Sequence, residues 1–479
     1  MKTPARKIHT LIALPFLGLI ASALADIRMT SIFSEHMVLQ CDAAVPIWGY
    51  ADPGEKVIVS FAGQSQTGTA DRAGRWSVKL GGLAAGTHGT LTIEGRNRIE
   101  IQDVLAGEVW LAAGQSNMQL RVHEAANAAE TKASADLPGI RMFTVAHRPA
   151  ESPATDCEGQ WVVCQPDSVG KFSATAFYFA RELHAHRSVP VGVINASWGA
   201  TPIAAWTRRG AMEGRPELAP IYAEWNNKNR PPRPEDATPL SLSKNYPGNL
   251  FDGMIAPLIP YALRGAIWYQ GENNANSDQP GLYATQLPLL IRDWRQQWGR
   301  GNFPFAWVQL PNFQPKKAEP AKWPLVREAM LRTLGVENTG MAVTIDVGEA
   351  NQIHPKNKIA VGYRLALWAR AQVYGETIPY SGPLPVGHKA NGNEITVAFS
   401  HTDGGLIAHG DQLTGFCIAG ADRHWEPAQA RIHDHQVILS HPGIAAPLAV
   451  RYAWADNPEC NLFNGAGLPA SPFRTDEWE

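Results

Sequence analysis

The chain has 479 residues, of which 44% are hydrophobic and 18% charged; this is enough apolar material for a large core and two or three domains, and it excludes a disordered chain. A net charge of −2 with no basic run excludes the electrostatic footprint of a nucleic-acid partner.

Residues 1–25 read as an export leader, with a basic start (Lys2, Arg6, Lys7), an apolar stretch from Leu11 to Ile20 and a small-residue cleavage site at Ala23-Leu24-Ala25. The apolar stretch is shorter than the roughly 20 residues that cross a bilayer. The mature chain is therefore expected to begin at Asp26, to carry no membrane anchor, and to be periplasmic or extracellular. Export permits disulfides among the five cysteines. Cys157 and Cys164, flanking a turn at Glu158-Gly159, are the first candidate bridge and Cys417 with Cys460 the second, leaving Cys41 free. No cysteine sits in a motif that would activate it as a nucleophile.

Residues 26–102 show short alternating apolar segments between turn residues: Val57, Val59 and Phe61; Trp76, Val78 and Leu80; Leu91 and Ile93. That is the pattern of a β-sandwich or jelly roll. From Asp103 the pattern changes. Val104 to Ala113 is a nearly continuous apolar run, as in a parallel strand covered on both faces. Phe172 to His186 then reads as a helix, Val189 to Ala196 and Leu263 to Tyr269 as strands, and Leu289 to Trp298 as a helix starting behind Pro288. Phe305 to Leu310 and Met341 to Ile345 read as strands, and Lys358 to Tyr374 as a long helix. Alternating strands and helices predict an α/β sheet with parallel strands and helices on both faces over residues 103–384. Gly214 to Gly248 reads as a long surface loop. In residues 385–479 alternation returns, at Glu394 to Phe399, Arg431 to Leu439 and Leu448 to Trp454. The two flanking β segments read equally as separate domains or as halves of one sandwich.

Gly114-Gln115-Ser116-Asn117-Met118 follows the first buried strand directly, which puts Ser116 at the C-terminal sheet edge, where open α/β folds place their sites. Met118 departs from the Gly-x-Ser-x-Gly elbow. A serine nucleophile needs a base, and His354 in Ile353-His354-Pro355 lies in the loop after a later strand, so parallel topology brings it to the same edge. Two more strand-end loops, Asn195 to Thr201 and Trp268 to Asn274, offer Gly199 N–H and amide side chains for an oxyanion. The histidine pair His184/His186 has the wrong spacing for one helical face, and the Asp434 context between His433 and His435 reads as a β-hairpin turn, so neither suits a metal site.

With these residues in view, the chain resembles the sialate O-acetylesterases and related carbohydrate acetylesterases of the SGNH hydrolase superfamily. The matching stretches are Gly107 to Met118, Ser197 to Pro202, Ile267 to Ala275, Ile353 to Lys358, Val450 to Trp454 and Gly467 to Arg474. The resemblance implies an SGNH-type sheet flanked by jelly-roll-like segments, a serine esterase acting on O-acetyl groups of carbohydrates, and no metal or organic cofactor. It makes Ser116 the nucleophile, His354 the base, and Gly199, Gln270 and Asn274 the oxyanion elements. Gln115, Trp198, Trp206, Arg208 and Trp268 are candidate substrate contacts, the tryptophans as faces for sugar rings and Arg208 as a partner for a carboxylate. Relatives commonly carry an aspartate two residues before the histidine, where this chain has Gln352; Asn351 also breaks the Asp-x-x-His spacing. Asp346, Glu349 or a backbone carbonyl near Gln352 is then left to orient His354. Acetylxylan or xyloglucan esters are the alternative substrates, and a carbohydrate-binding protein with a weakened site is the alternative class.

Overall fold

The structure, a computed structural model, describes residues 26–226, 239, 242–315 and 322–478; the leader read at residues 1–25 lies outside them. Its backbone organiser is one 17-residue strand, Arg98–Gly114. The first part of this strand alternates in burial and pairs antiparallel with His88–Glu94, while Leu105 to Gly107 also run parallel to Val38–Gln40. The rest is buried on both faces and pairs parallel with Val191–Ser197 and Gly265–Tyr269. A boundary at 102/103 thus falls inside a single strand. Asp103 sits there at a φ of 53°, its carboxylate accepting from Arg141 at 2.9 Å and contacting His36 at 2.6 Å and His88 at 3.0 Å. The change in hydrophobic pattern marks where the cover changes, not where the element ends.

In the central sheet the order is Trp161–Cys164, Leu137–Thr144, Val191–Ser197, Arg98–Gly114, Gly265–Tyr269, Phe305–Val308, Thr339–Ala342, parallel throughout except for the first. Side chains alternate across it. Trp110 and Ala112 join a core with Phe177 and Leu183 of the helix Ala174–Arg187 and Leu365 of the helix Lys358–Trp368. Val109, Leu111 and Ala113 join another with Leu290 and Trp294 of Tyr283–Trp298 and Met330 of Trp323–Thr333.

Several elements differ from expectation. The stretch Gly214 to Gly248, expected as a surface loop, contains the helix Ala219–Asn226, and residues 227–238 and 240–241 of it lie outside the described ones. The strand expected at Met341 to Ile345 is Thr339–Ala342. The helix expected from Leu289 begins six residues earlier, at Tyr283, with Pro288 inside it, because Tyr283 and Leu287 are buried and pin the first turns to the core. The hairpin read at Asp434 is present, formed by Gln429–His433 and Gln436–Ser440 and turned at Asp434 with a φ of 53°.

Both expected disulfides are also corrected: all five cysteines are free. Cys157 lies in the core on one face of the sheet with Phe143 and Trp161, whereas Cys164 lies in the core on the other. Cys417 faces away from Phe416 and Ile418, which enter the C-terminal core against which Cys460 packs. Short sequence separation cannot bring two thiols together when the chain buries them in cores on opposite faces of a sheet.

That C-terminal unit has two four-stranded sheets and its own core, including Ile395, Val397, Ile418, Val450 and Tyr452. It is held to the helix Trp323–Thr333 by Arg327, fully buried, which donates to Leu310 O, Pro311 O, Ala455 O and Asp456 O. An Arg474–Glu328 pair at 3.0 Å adds to this seam. The two β segments therefore occupy separate places, one continuous with the sheet and one docked through side chains. Among the described residues, no helix is long and apolar enough to cross a membrane.

Candidate active site

At Gly114 the central strand ends with a φ of 137° in close contact with Tyr269, whose carbonyl accepts the Gln115 N–H at 2.9 Å. The chain then turns into the short helix Ser116–Gln119. The connection after Thr339–Ala342 returns to the same edge, and His354 Nε2 lies 2.8 Å from Ser116 Oγ across 238 residues of sequence. Burial lowers the His354 pKa, Lys358 lowers it further, and Glu124 opposes them. Burial and Lys358 both favour the neutral ring, which as the Nδ1–H tautomer can accept a proton from Ser116 on Nε2.

The structure places Asp346 elsewhere than on His354: its carboxylate is gripped by both terminal nitrogens of Arg364, at 2.6 and 2.7 Å. Glu349 accepts from the Lys356 N–H at 2.9 Å. The Gln352 side chain accepts the backbone N–H of His354 at 3.3 Å, so the amide organises the loop and does not touch the ring. Among the described residues, no carboxylate hydrogen-bonds to His354. Asp346→Asn is accordingly expected to lower the melting temperature, since it leaves Arg364 short of a partner, while kcat per folded molecule stays within about twofold of the parent. A drop in kcat of about a hundredfold or more at unchanged stability would instead make Asp346 the orienter.

The amide-rich loops divide into an inner lattice and an outer rim. Gln270, fully buried, donates to Gln115 Oε1 at 3.2 Å, Thr201 O at 3.1 Å and Asn274 Oδ1 at 2.7 Å. Asn274 also accepts from Ile203 N–H and donates to Gln286, and Gln115 accepts from Asn273 N–H. Gln115, Gln270 and Asn274 thus tie three loops together and are spent in doing so. Asn273 is the partly exposed amide of the block, donating to Ala200 O at 3.3 Å. Gly199 does lie beside Ser116: a Cβ on it would stand 3.3 Å from the serine Cβ, and its N–H donates to Gln119 Oε1 at 2.7 Å.

Of the expected sugar contacts, Trp206 and Trp268 are fully buried and cross edge to face at 6.2 Å, with Nε1 groups bonded to Thr201 and Tyr283. They are core residues. Arg208 is occupied by buried Asp293 at 3.0 Å, and Trp198 is half-buried, stacked on His147 at 4.2 Å with the Lys244 ammonium 5.6 Å from its centroid. The cation at the site is instead Arg121, exposed, which with Gln119, Leu120 and Glu124 lines a cavity of about 350 Å³ over Ser116 and His354. A groove of about 700 Å³ continues from Gln119 and Arg121 past His147, Gln160 and Lys171. Among the described residues, no three His, Cys, Asp or Glu side chains cluster as metal ligands.

Carbohydrate esterases described as sialic acid-specific acetylesterases match residues 106–369. The mouse sialate O-acetylesterase is 30% identical over 94% of this chain and 95% of its own. The human sialate O-acetylesterase is 32% identical over 94% of this chain and 93% of its own. A crystal structure of a carbohydrate acetylesterase from Xanthomonas citri, 37% identical, superposes with a TM-score of 0.86 over 94% of this chain and 100% of that one.

Proposed function

Because the chain belongs to the carbohydrate esterase family of sialic acid-specific acetylesterases and hydrolyses O-acetyl esters of carbohydrates, we propose that it does so through an acetyl-serine on Ser116, with His354 as base. The observation that carries this reading is the 2.8 Å contact between the two side chains at the edge where parallel strands end.

His354 Nε2 takes the Ser116 proton as Oγ attacks the acetyl carbonyl carbon, and the carbonyl electron pair moves onto oxygen. Backbone N–H groups of Ser116 and Gly199 face that oxygen, the incoming carbonyl displacing Gln119 Oε1 from Gly199, with Asn273 at the rim. Collapse expels the sugar oxygen, which receives the proton from His354. Water, deprotonated by the same ring, then cleaves the acetyl-enzyme to acetate.

Arg121 at the mouth favours a sugar bearing a carboxylate, as in an O-acetylated sialic acid, over neutral xylan or xyloglucan esters. We also read this enzyme as exported, to the periplasm or medium, on the leader-like pattern of residues 1–25. Acetate release from a panel of these three substrate classes tests the choice. A higher kcat/KM on acetylated sialic acid is expected, and in Arg121→Met that advantage should shrink while p-nitrophenyl acetate is hydrolysed as before. Preference for acetylxylan or acetylated xyloglucan in the parent enzyme would assign the neutral esters.

A further inference from the structure

Lys358 opens the last helix of the α/β unit, and it has no exposed surface at all. A lysine so placed needs a reason, since burying an ammonium is expensive unless every donor is used. Here Nζ donates to Asn117 Oδ1 at 2.6 Å and to Pro355 O at 2.7 Å, and stands 5.3 Å from the Tyr269 ring centroid. Asn117, the residue after Ser116, spends its other end on two acceptors: Nδ2 donates to Glu272 Oε1 at 2.5 Å and to Ile353 O at 3.0 Å.

The two carbonyls caught by this pair, Ile353 O and Pro355 O, belong to the residues on either side of His354. Among the described residues no side chain other than Ser116 hydrogen-bonds to the ring, but the peptide is clamped before and after it. The clamp's other end is the segment that carries Ser116. A shift of the histidine loop against the serine must therefore break hydrogen bonds in a dry interior, where they are strongest.

We propose that Lys358 is a positioning residue for His354: through Asn117 it locks the histidine loop to the serine segment, doing with backbone ties what a carboxylate behind the ring would otherwise do. The proposal rests on the Ser116–His354 reading above. The ties do not depend on the lysine's charge. Burial pulls its pKa down to about 7, partly offset by Glu272 and Glu349, yet a neutral amine still keeps two N–H donors for Asn117 and Pro355. The ammonium form has an added effect, since it disfavours a second cation on His354. The other charged groups facing that ring are Glu124, which opposes the lysine, and Arg121, which lines the same cavity.

The test is Lys358→Met in the full-length enzyme, which keeps the apolar stem and removes the donors, assayed with p-nitrophenyl acetate and referred to active-site concentration. kcat should fall on the order of tenfold to a hundredfold with KM little changed, as a small misplacement of a base predicts. The acid limb of the pH–kcat/KM profile should move to higher pH, because a repelling charge has gone. A purely structural lysine would lower thermal stability and leave both readouts where they were, and that result overturns the proposal. If Lys358→Met does not fold, Asn117→Asp with Glu272→Gln keeps a partner for the lysine and a neutral neighbour for the new carboxylate but deletes the donor to Ile353 O. A fall of tenfold or more in its kcat supports the clamp, and unchanged kcat overturns it. Ser116→Ala run alongside separates the two levels: its full activity would remove the catalytic pair itself, whereas an inactive Ser116→Ala beside a normal Lys358→Met would remove only the positioning role.

Discussion

Replacing Ser116 by alanine is expected to lower acetate release about a thousandfold or more, because only binding and oxyanion stabilisation survive the loss of a nucleophile. Folding should be unaffected. Ser116 is half-buried at the start of a short helix, and its hydroxyl is bonded to His354 Nε2, so alanine leaves no large cavity and no deeply buried orphan. His354→Ala should produce a loss of the same order. The double variant should be no worse than either single one, since two groups that act as a unit are lost once. Matched circular dichroism with acetate assays on all three proteins would decide the matter. Near-parental turnover in folded Ser116→Ala would move the nucleophile elsewhere, and additive losses would mean that the two residues act in separate steps.

The meeting of Ser116 with His354 can be read from sequence because each follows a strand whose apolar run is nearly continuous, and parallel topology sends such loops to one edge. What surrounds the pair is harder to read, and for identifiable reasons. Within Gln270 to Asn274, which amide faces inward depends on the rotation of a four-residue helix, Glu272–Ala275, and composition does not encode that. The helix leaves Asn274 buried in the amide lattice and Asn273 at the rim, although the motif offered Gln270 and Asn274 as the donors.

Asp346 looks like an available acid until Arg364, 18 positions later, is seen to claim both of its oxygens. Trp206 and Trp268 flank the loops in sequence but point into the sheet's cover, as most large aromatic side chains do. Lys358 was in plain view within Ile353 to Lys358, yet a lysine's default is solvent. Only the tertiary partners Asn117 and Pro355 reveal why this one is dry. Glycine carries a stronger local signal, because a demand for close approach is met by one residue type alone.

Gly114→Ala is expected to have the largest effect on stability of any single change at the site. An added Cβ would fall 2.7 Å from the Tyr269 carbonyl carbon and 3.0 Å from its nitrogen, and the φ of 137° is in any case strained for a residue with a side chain. The obstructing atoms are backbone of the neighbouring strand Gly265–Tyr269, so relief requires the two strands to part where they pair. Those strands carry Ser116 on one end and the Gln270–Asn274 lattice on the other. Stability should fall by roughly 4 kcal/mol or more, beyond the ordinary range for one substitution, and activity with it. Gly199→Ala is the control. There the Cβ would meet Gln119 Oε1 at 3.1 Å, the far end of a flexible side chain, and Ser116 Cβ at 3.3 Å, so Gln119 can yield and the loss should stay under about 1 kcal/mol. Urea unfolding of both variants measures the contrast. Equal midpoints would show that the strand ends at Gly114 are looser than their geometry implies, and that the serine's position is set by its loop rather than by the sheet.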